Sequence, residues 1–152
     1  MKNYIAFFLL MIACACSNAN NNQPADEHNA SIPKTASDSV YKSVMEGHDA
    51  GMAKTGEIIR LKKEITQRKD SLVKMKTGDQ QNIAILDTLF NNLVYADELM
   101  HKWMVDFNPD NAGNSEEERL NFFKKEKEKI DTVNARINNS IESAKKITEV
   151  KP

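Results

Sequence analysis

Between positions 39 and 75 the chain contains no proline, and Val44, Gly51, Ile58, Ile65 and Leu72 follow one another at intervals of seven, with Leu61 and Met75 beside them. Seven residues are two turns of helix, so these positions form one stripe, and a stripe of that length has to be covered by other helices. Ser37 or Asp38 is placed to cap its start, and Gly78-Asp79 supplies a stop followed by a cap for a second helix.

The second stripe runs through Leu86, Phe90, Leu93, Asp97, Met100, Met104 and Phe107, widened by Ile83, Leu89, Ala96 and Trp103. Asn108-Pro109-Asp110 ends it. After a short segment rich in Asn, Asp and Gly, Ser115-Glu116-Glu117-Glu118 reads as a capping box, with acidic side chains at the positive end of the helix dipole. The third stripe is Leu120, Phe123, Ile130, Val133, Ile137, Ile141, Ala144 and Ile147, opposite a surface of Lys and Glu. No alternating run of β-branched residues competes with these helices. The expectation is an all-α, elongated, antiparallel three-helix bundle over residues 39–150, coiled-coil-like, with helices at about 39–76, 80–107 and 115–149. Each would be on the order of 40 to 55 Å long.

The head of the chain has a different character. Lys2, an uncharged apolar stretch over residues 4–13, and Met11-Ile12-Ala13-Cys14-Ala15-Cys16 read as a bacterial lipoprotein signal over residues 1–16, with lipid attachment at Cys14 or Cys16. Met11, three residues before Cys14, suits an apolar signal pocket, while Ala15 precedes Cys16, so the two sites stay open. The apolar stretch falls short of the roughly 20 residues of a spanning helix. Residues 17–38, with Ile32 as their only large aliphatic side chain, read as a disordered tether reaching a few tens of Å. The implied address is the cell envelope, with the outer membrane as the site of the lipid anchor and a periplasmic or surface-facing domain.

Both cysteines lie in the head, so the bundle has no disulfide and depends on packing. The 152 residues leave room for one domain, and a net charge of −1, or −2 without Lys2, gives no basic field for nucleic acid. The bundle segment has no Gly-rich phosphate loop, no Gly-x-Ser-x-Gly and no His-Glu-x-x-His, so the expectation is a non-enzyme, and no small-molecule substrate is identified from these residues.

The most unusual grouping is Met45, His48 and Met52 on the first helix with Met100, His101 and Met104 on the second; spacings of three and four put each trio on one helix surface. A hairpin turning near Gly78 brings Met52 level with Val105 and His48 near the end of the second helix. Thioethers and imidazoles suit Cu(I) or Ag(I), with His48, Met52, His101 and Met104 as ligands and Trp103 as a cation–π wall. The plainer reading takes precedence: methionines fill the core and histidines sit at its edge. Asp97 falls on the apolar stripe, where a carboxylate needs a partner; His101, His48 or a lysine of the third helix is in reach, and Asp49 and Glu57 flank the first trio. His48, Asp49, Met52, Asp97, Met100, His101 and Met104 together mark the candidate binding face for an envelope protein partner. The charges between Glu116 and Lys129 read as a solvated face rather than a self-association surface. Asp38-Ser39-Val40 resembles the Asp-Ser/Thr-aliphatic sites at which some Bacteroidetes O-glycosylate exported proteins, and is equally a helix cap.

The run Val44-Met45-x-x-His48-Asp49-x-x-Met52-x-x-x-Gly56-Glu57-Ile58, then Leu61-Lys62-Lys63, together with Ala96-Asp97-Glu98-Leu99-Met100-x-x-Trp103-Met104-x-x-Phe107, resembles small Bacteroidetes lipoproteins labelled viral A-type inclusion protein. The likeness covers most of the first two helices and the lipoprotein head. This chain departs from that pattern at Ala50 and Ala53, where an acidic residue and a proline are usual, and at His101-Lys102, where Met-Asp is commoner. The resemblance implies a helical lipoprotein and offers no catalytic residues to transfer.

Overall fold

The computed structural model describes residues 33–75 and 80–148. The lipoprotein signal with Cys14 and Cys16, most of the tether, and the Gly78-Asp79 stop lie outside the described residues. Among the described residues the chain is all-α: α1 is Ala36–Met52, α2 Thr55–Lys74, α3 Gln80–Asp106 and α4 Glu116–Thr148, with a short 3-10 helix, Pro109–Ala112, before α4. They form three rods, the first made of α1 and α2 in succession.

Cross-rod pairs give the directions. Lys62–Asp97 and Lys69–Asp87 run α2 against α3 antiparallel, and Trp103–Glu126 with Arg136–Tyr95 do the same for α3 and α4. Ser37–Glu116 and Asn134–Gly47 run α1 parallel to α4. The result is the expected up-down-up three-helix bundle. At about 1.5 Å per residue α4 is about 50 Å long, and it touches every other element. The core is aliphatic through its middle: Ile58, Leu61 and Ile65 of α2 meet Leu86, Leu89 and Leu93 of α3 and Ile137, Ile141 and Ala144 of α4. Burying each of the larger side chains is worth about 1.5–3 kcal/mol.

Three expectations are corrected. The first helix starts at Ala36 rather than Ser39, and its cap is Thr35 rather than Ser37 or Asp38. Thr35 has extended backbone; its hydroxyl accepts from the Asp38 N–H at 3.1 Å, and the Asp38 carboxylate accepts from the Thr35 N–H at 3.2 Å. Asp38 is therefore the third residue of a capping box, one turn inside the end it was expected to mark.

The first helix is also not continuous. At Ala53-Lys54 the Lys54 N–H turns to the carbonyl of Gly51, three residues back, at 3.0 Å, and α2 begins with no side-chain cap. The two halves answer to different neighbours: α1 follows α4, whereas α2 packs most against α3. Gly47 and Gly51 bring α1 close. A β-carbon on Gly51 would overlap the terminal methyl of Met100 and the side-chain oxygen of Asn134.

The third correction is a rotation of α3. Its buried residues are Leu86, Leu93 and Met100 of the expected stripe together with Leu89, Ala96 and Trp103 of its expected shoulder, while Asp97 and Met104 fall outside the core. Both sets step by three and four, and spacing alone does not separate them. Ala96, small and fully buried, permits close packing, and the Trp103 ring finds both apolar cover and an acceptor for its N–H.

The α3–α4 connection follows its sequence. Asn108 caps the 3-10 turn by accepting from the Asp110 N–H at 3.0 Å, with Pro109 at the first position. Gly113 has φ +86°, a conformation glycine adopts freely, and delivers the chain to the Ser115–Glu118 capping box.

Candidate functional site

α1 carries His48 to the level of Trp103 on α3; the two rings are 5.9 Å apart and inclined at 35°. The His48 side chain is 21 % exposed, and its Nδ1 lies 2.9 Å from Oδ1 of the exposed Asp49. Three residues on, Gly51 faces Met100. The register at this end therefore differs from that of an unbroken hairpin, which would have put Met52 beside Val105. Met100 is in the core, with its methyl filling the space left by Gly51.

The rest of the expected face is spread out. Met52 and Met104 are partly exposed, and His101 is on the surface of α3. The Asp97 side chain is 41 % exposed and pairs with Lys62 of α2 at 3.8 Å, not with His101, His48 or a lysine of the third rod. The rotation of α3 takes it off the apolar stripe and removes the desolvation cost expected of it. Among the described residues no three or more His, Cys, Asp or Glu side chains gather as metal ligands.

Instead, the structure assembles an aromatic and polar junction at the α1 end of the bundle. Trp103 stacks on Phe107 with ring centres 4.8 Å apart; Tyr41 lies 5.0 Å from Phe123 and 6.4 Å from Phe107, and Phe122 closes the cluster edge-on to Phe123. Beneath it lies a carboxylate. Glu126 is only 6 % exposed; the Trp103 indole N–H donates to its Oε2 at 3.1 Å, and the Lys129 ammonium donates to its Oε1 at 2.7 Å. A buried carboxylate needs such partners, since desolvation otherwise outweighs what the charge gains. Glu126 therefore departs from the solvated face expected of the charges between Glu116 and Lys129. The signal was the stripe of α4 itself: between Phe123 and Ile130 a step of three then four falls on Glu126, and between Ile137 and Ala144 it falls on Ser140, also buried.

Two further polar contacts tie α1 and α2 to α4. The Ser37 N–H and hydroxyl donate to the two Glu116 oxygens at 2.8 and 2.7 Å, the hydroxyl bond above all holding the Glu116 carboxyl below the usual glutamate range. The Lys145 ammonium does the same for Glu57 across a 2.6 Å contact, aided by its charge and those of Lys54 and Arg60. On α4 itself, the Ser115 N–H and hydroxyl lower the Glu118 carboxyl.

The arrangement aligns helices and fixes their register through hydrogen bonds to carboxylates. Its aromatic groups are packed on one another, with Tyr41 and His48 at the solvent edge. No protein-family model, no curated protein and no solved structure matches this chain.

Proposed function

We propose that this is a lipid-anchored protein of the bacterial cell envelope, held at the outer membrane through Cys14 or Cys16, whose helical bundle is a non-enzymatic interaction or structural module. One observation carries the reading: the head, in which Lys2 precedes an uncharged apolar stretch ending in small residues and cysteine. The polar, proline-containing segment that follows supports it as a spacer, as does the resemblance to small helical lipoproteins. The partner face is the shoulder around His48, Met52, Asp97, His101 and Met104, with Met100 as support from behind. Growth with labelled palmitate tests the anchor. Label enters the wild-type protein and is lost from whichever of Cys14→Ser or Cys16→Ser removes the acceptor; a wild-type protein that takes up no label ends this reading.

A second reading, Cu(I) or Ag(I) binding, is favoured by one observation, the half-buried His48 ring beside the face of Trp103. Met52 and Met104 would supply thioethers and His101 a second imidazole. A site of this kind raises the melting midpoint by mass action when Ag(I) is added. The shift disappears in His48→Ala, and an unshifted wild-type midpoint removes the reading.

A further inference from the structure

α1 lies against α4 in the most extensive helix–helix contact among the described residues, yet it buries little apolar side chain there. Val44 is its one buried large apolar side chain, whereas α2 buries Ile58, Leu61 and Ile65. α1 also meets α3 through His48 against Trp103 and Gly51 against Met100, and the following Phe107 through Tyr41. Besides Val44 and the ring contacts of Tyr41 and His48, what holds it is close approach at Gly47 and Gly51, the 2.7 Å bond from Asn134 to the Gly47 carbonyl, the Ser37–Glu116 bonds and the 3.6 Å Asp38–Arg119 pair. The contact also leaves the Asn134 side-chain oxygen buried without a hydrogen-bond partner, which opposes docking.

Away from α4 this segment is a poor helix. Two internal glycines weaken its 17 residues, and no basic side chain balances the dipole in its last turn. A helix of this length gains most of its stability from packing. At Ala53-Lys54 the helical ladder is interrupted by one three-residue step, with no side-chain cap on α2, and this marks where α1 ends and α2 begins. Helicity and docking of α1 are therefore one event.

We infer that α1 is a releasable strap: it leaves α4 and uncoils as a unit hinged at Ala53-Lys54, while α2, α3 and α4 remain packed, baring Met100, Trp103, Phe123, Ile130 and Ile137. The use of the strap rests on the lipid-anchor reading, in which the anchor is joined to α1, so that a pull between membrane and bundle reaches α1 first. The release itself is a property of the bundle and is tested without the anchor.

Hydrogen exchange of the full chain, followed by mass spectrometry, reads the release. The α1 amides exchange together and at least about tenfold faster than those of residues 58–65 and 130–144. Gly51→Ala, which sets a methyl against Met100 and Asn134, speeds the α1 block by about a further tenfold, leaves the other block unchanged, and shifts the emission of Trp103, the only tryptophan, towards that of a solvated indole. Ser37→Ala, which removes one Glu116 bond without a clash, moves α1 in the same direction by less and serves if Gly51→Ala does not fold. Equal protection across α1, α2 and α4, or variants that speed all blocks alike, overturns the strap. Palmitate labelling that fails beside intact differential protection removes the anchor and keeps the strap.

Discussion

α1 and α2 share one heptad stripe in sequence, yet they are held by different physics. α2 buries Ile58, Leu61 and Ile65 between two neighbours, so its attachment scales with apolar area removed from water. α1 buries one valine, a serine and a glycine, and its attachment comes from backbone approach, from hydrogen bonds to the Glu116 carboxylate of α4 and from the Asn134 amide donating to the Gly47 carbonyl. The first kind of contact tolerates small shifts because it is non-directional. The second is lost as a whole when the spacing changes. A regular pattern of stripe positions thus says that two segments face the core and leaves open how firmly each is held there.

The largest effect that separates the two regions is expected from Leu61→Ala. It removes a fully buried side chain at the centre of α2 and lowers global stability by about 2–5 kcal/mol, read as a parallel loss of helical signal and of Trp103 fluorescence in a denaturant melt. A loss confined to one probe would show that the middle of the bundle is not the common core. Gly51→Ala is next, at about 1–3 kcal/mol from overpacking, and its cost falls on α1. Comparable cost from Glu126→Ala, about 1–3 kcal/mol, follows from leaving the Trp103 N–H buried and unpaired, and a variant as stable as wild type would show that this pair does not matter to the junction.

Acid sharpens the contrast. The Glu57, Glu116 and Glu118 carboxyls are each held below their ordinary value in the folded protein, so below that value the unfolded chain binds more protons. Their contribution is complete above about pH 4.3 and is lost as the pH falls through the folded-state values. Melting midpoints should be level from pH 7 to 5 and fall below about pH 4.3, with α1 exchange rising first because Glu116 is its latch. A midpoint unchanged to pH 3 would remove these three carboxylates from the stability of the fold. Smallest of all is Asp97→Asn, within about 0.5 kcal/mol, since its pairing with Lys62 is exposed and long. A larger loss would restore Asp97 to the buried stripe.

Much of the fold was legible because heptad spacing is strict on α2 and α4, where Ile58, Ile65, Ile130 and Ile137 occupy the places their intervals assign. On α3 Leu86, Leu93 and Met100 are common to two interleaved sets, and the partners that complete the buried face are Leu89, Ala96 and Trp103, expected at its edge, rather than Asp97 and Met104. Of the candidate site, His48 was placed correctly beside the end of α3. Met100, expected both on the apolar stripe and on the candidate face, is in the core, as its place in the stripe implies. Glu126 was missed because a glutamate in a Lys/Glu-rich helix looks solvated, although its position in the stripe marks it as inward.

By itself the sequence determined the helical class, the three apolar stripes, the cap at Ser115 and the turn at Asn108-Pro109, because each follows from backbone preference and periodicity within a few residues. Tertiary structure decided which way α3 turns, where the first rod breaks, and which glutamate enters the core. Those outcomes depend on distances between segments far apart in the chain, such as Gly51 against Met100 and Trp103 against Glu126, and no local interval contains them.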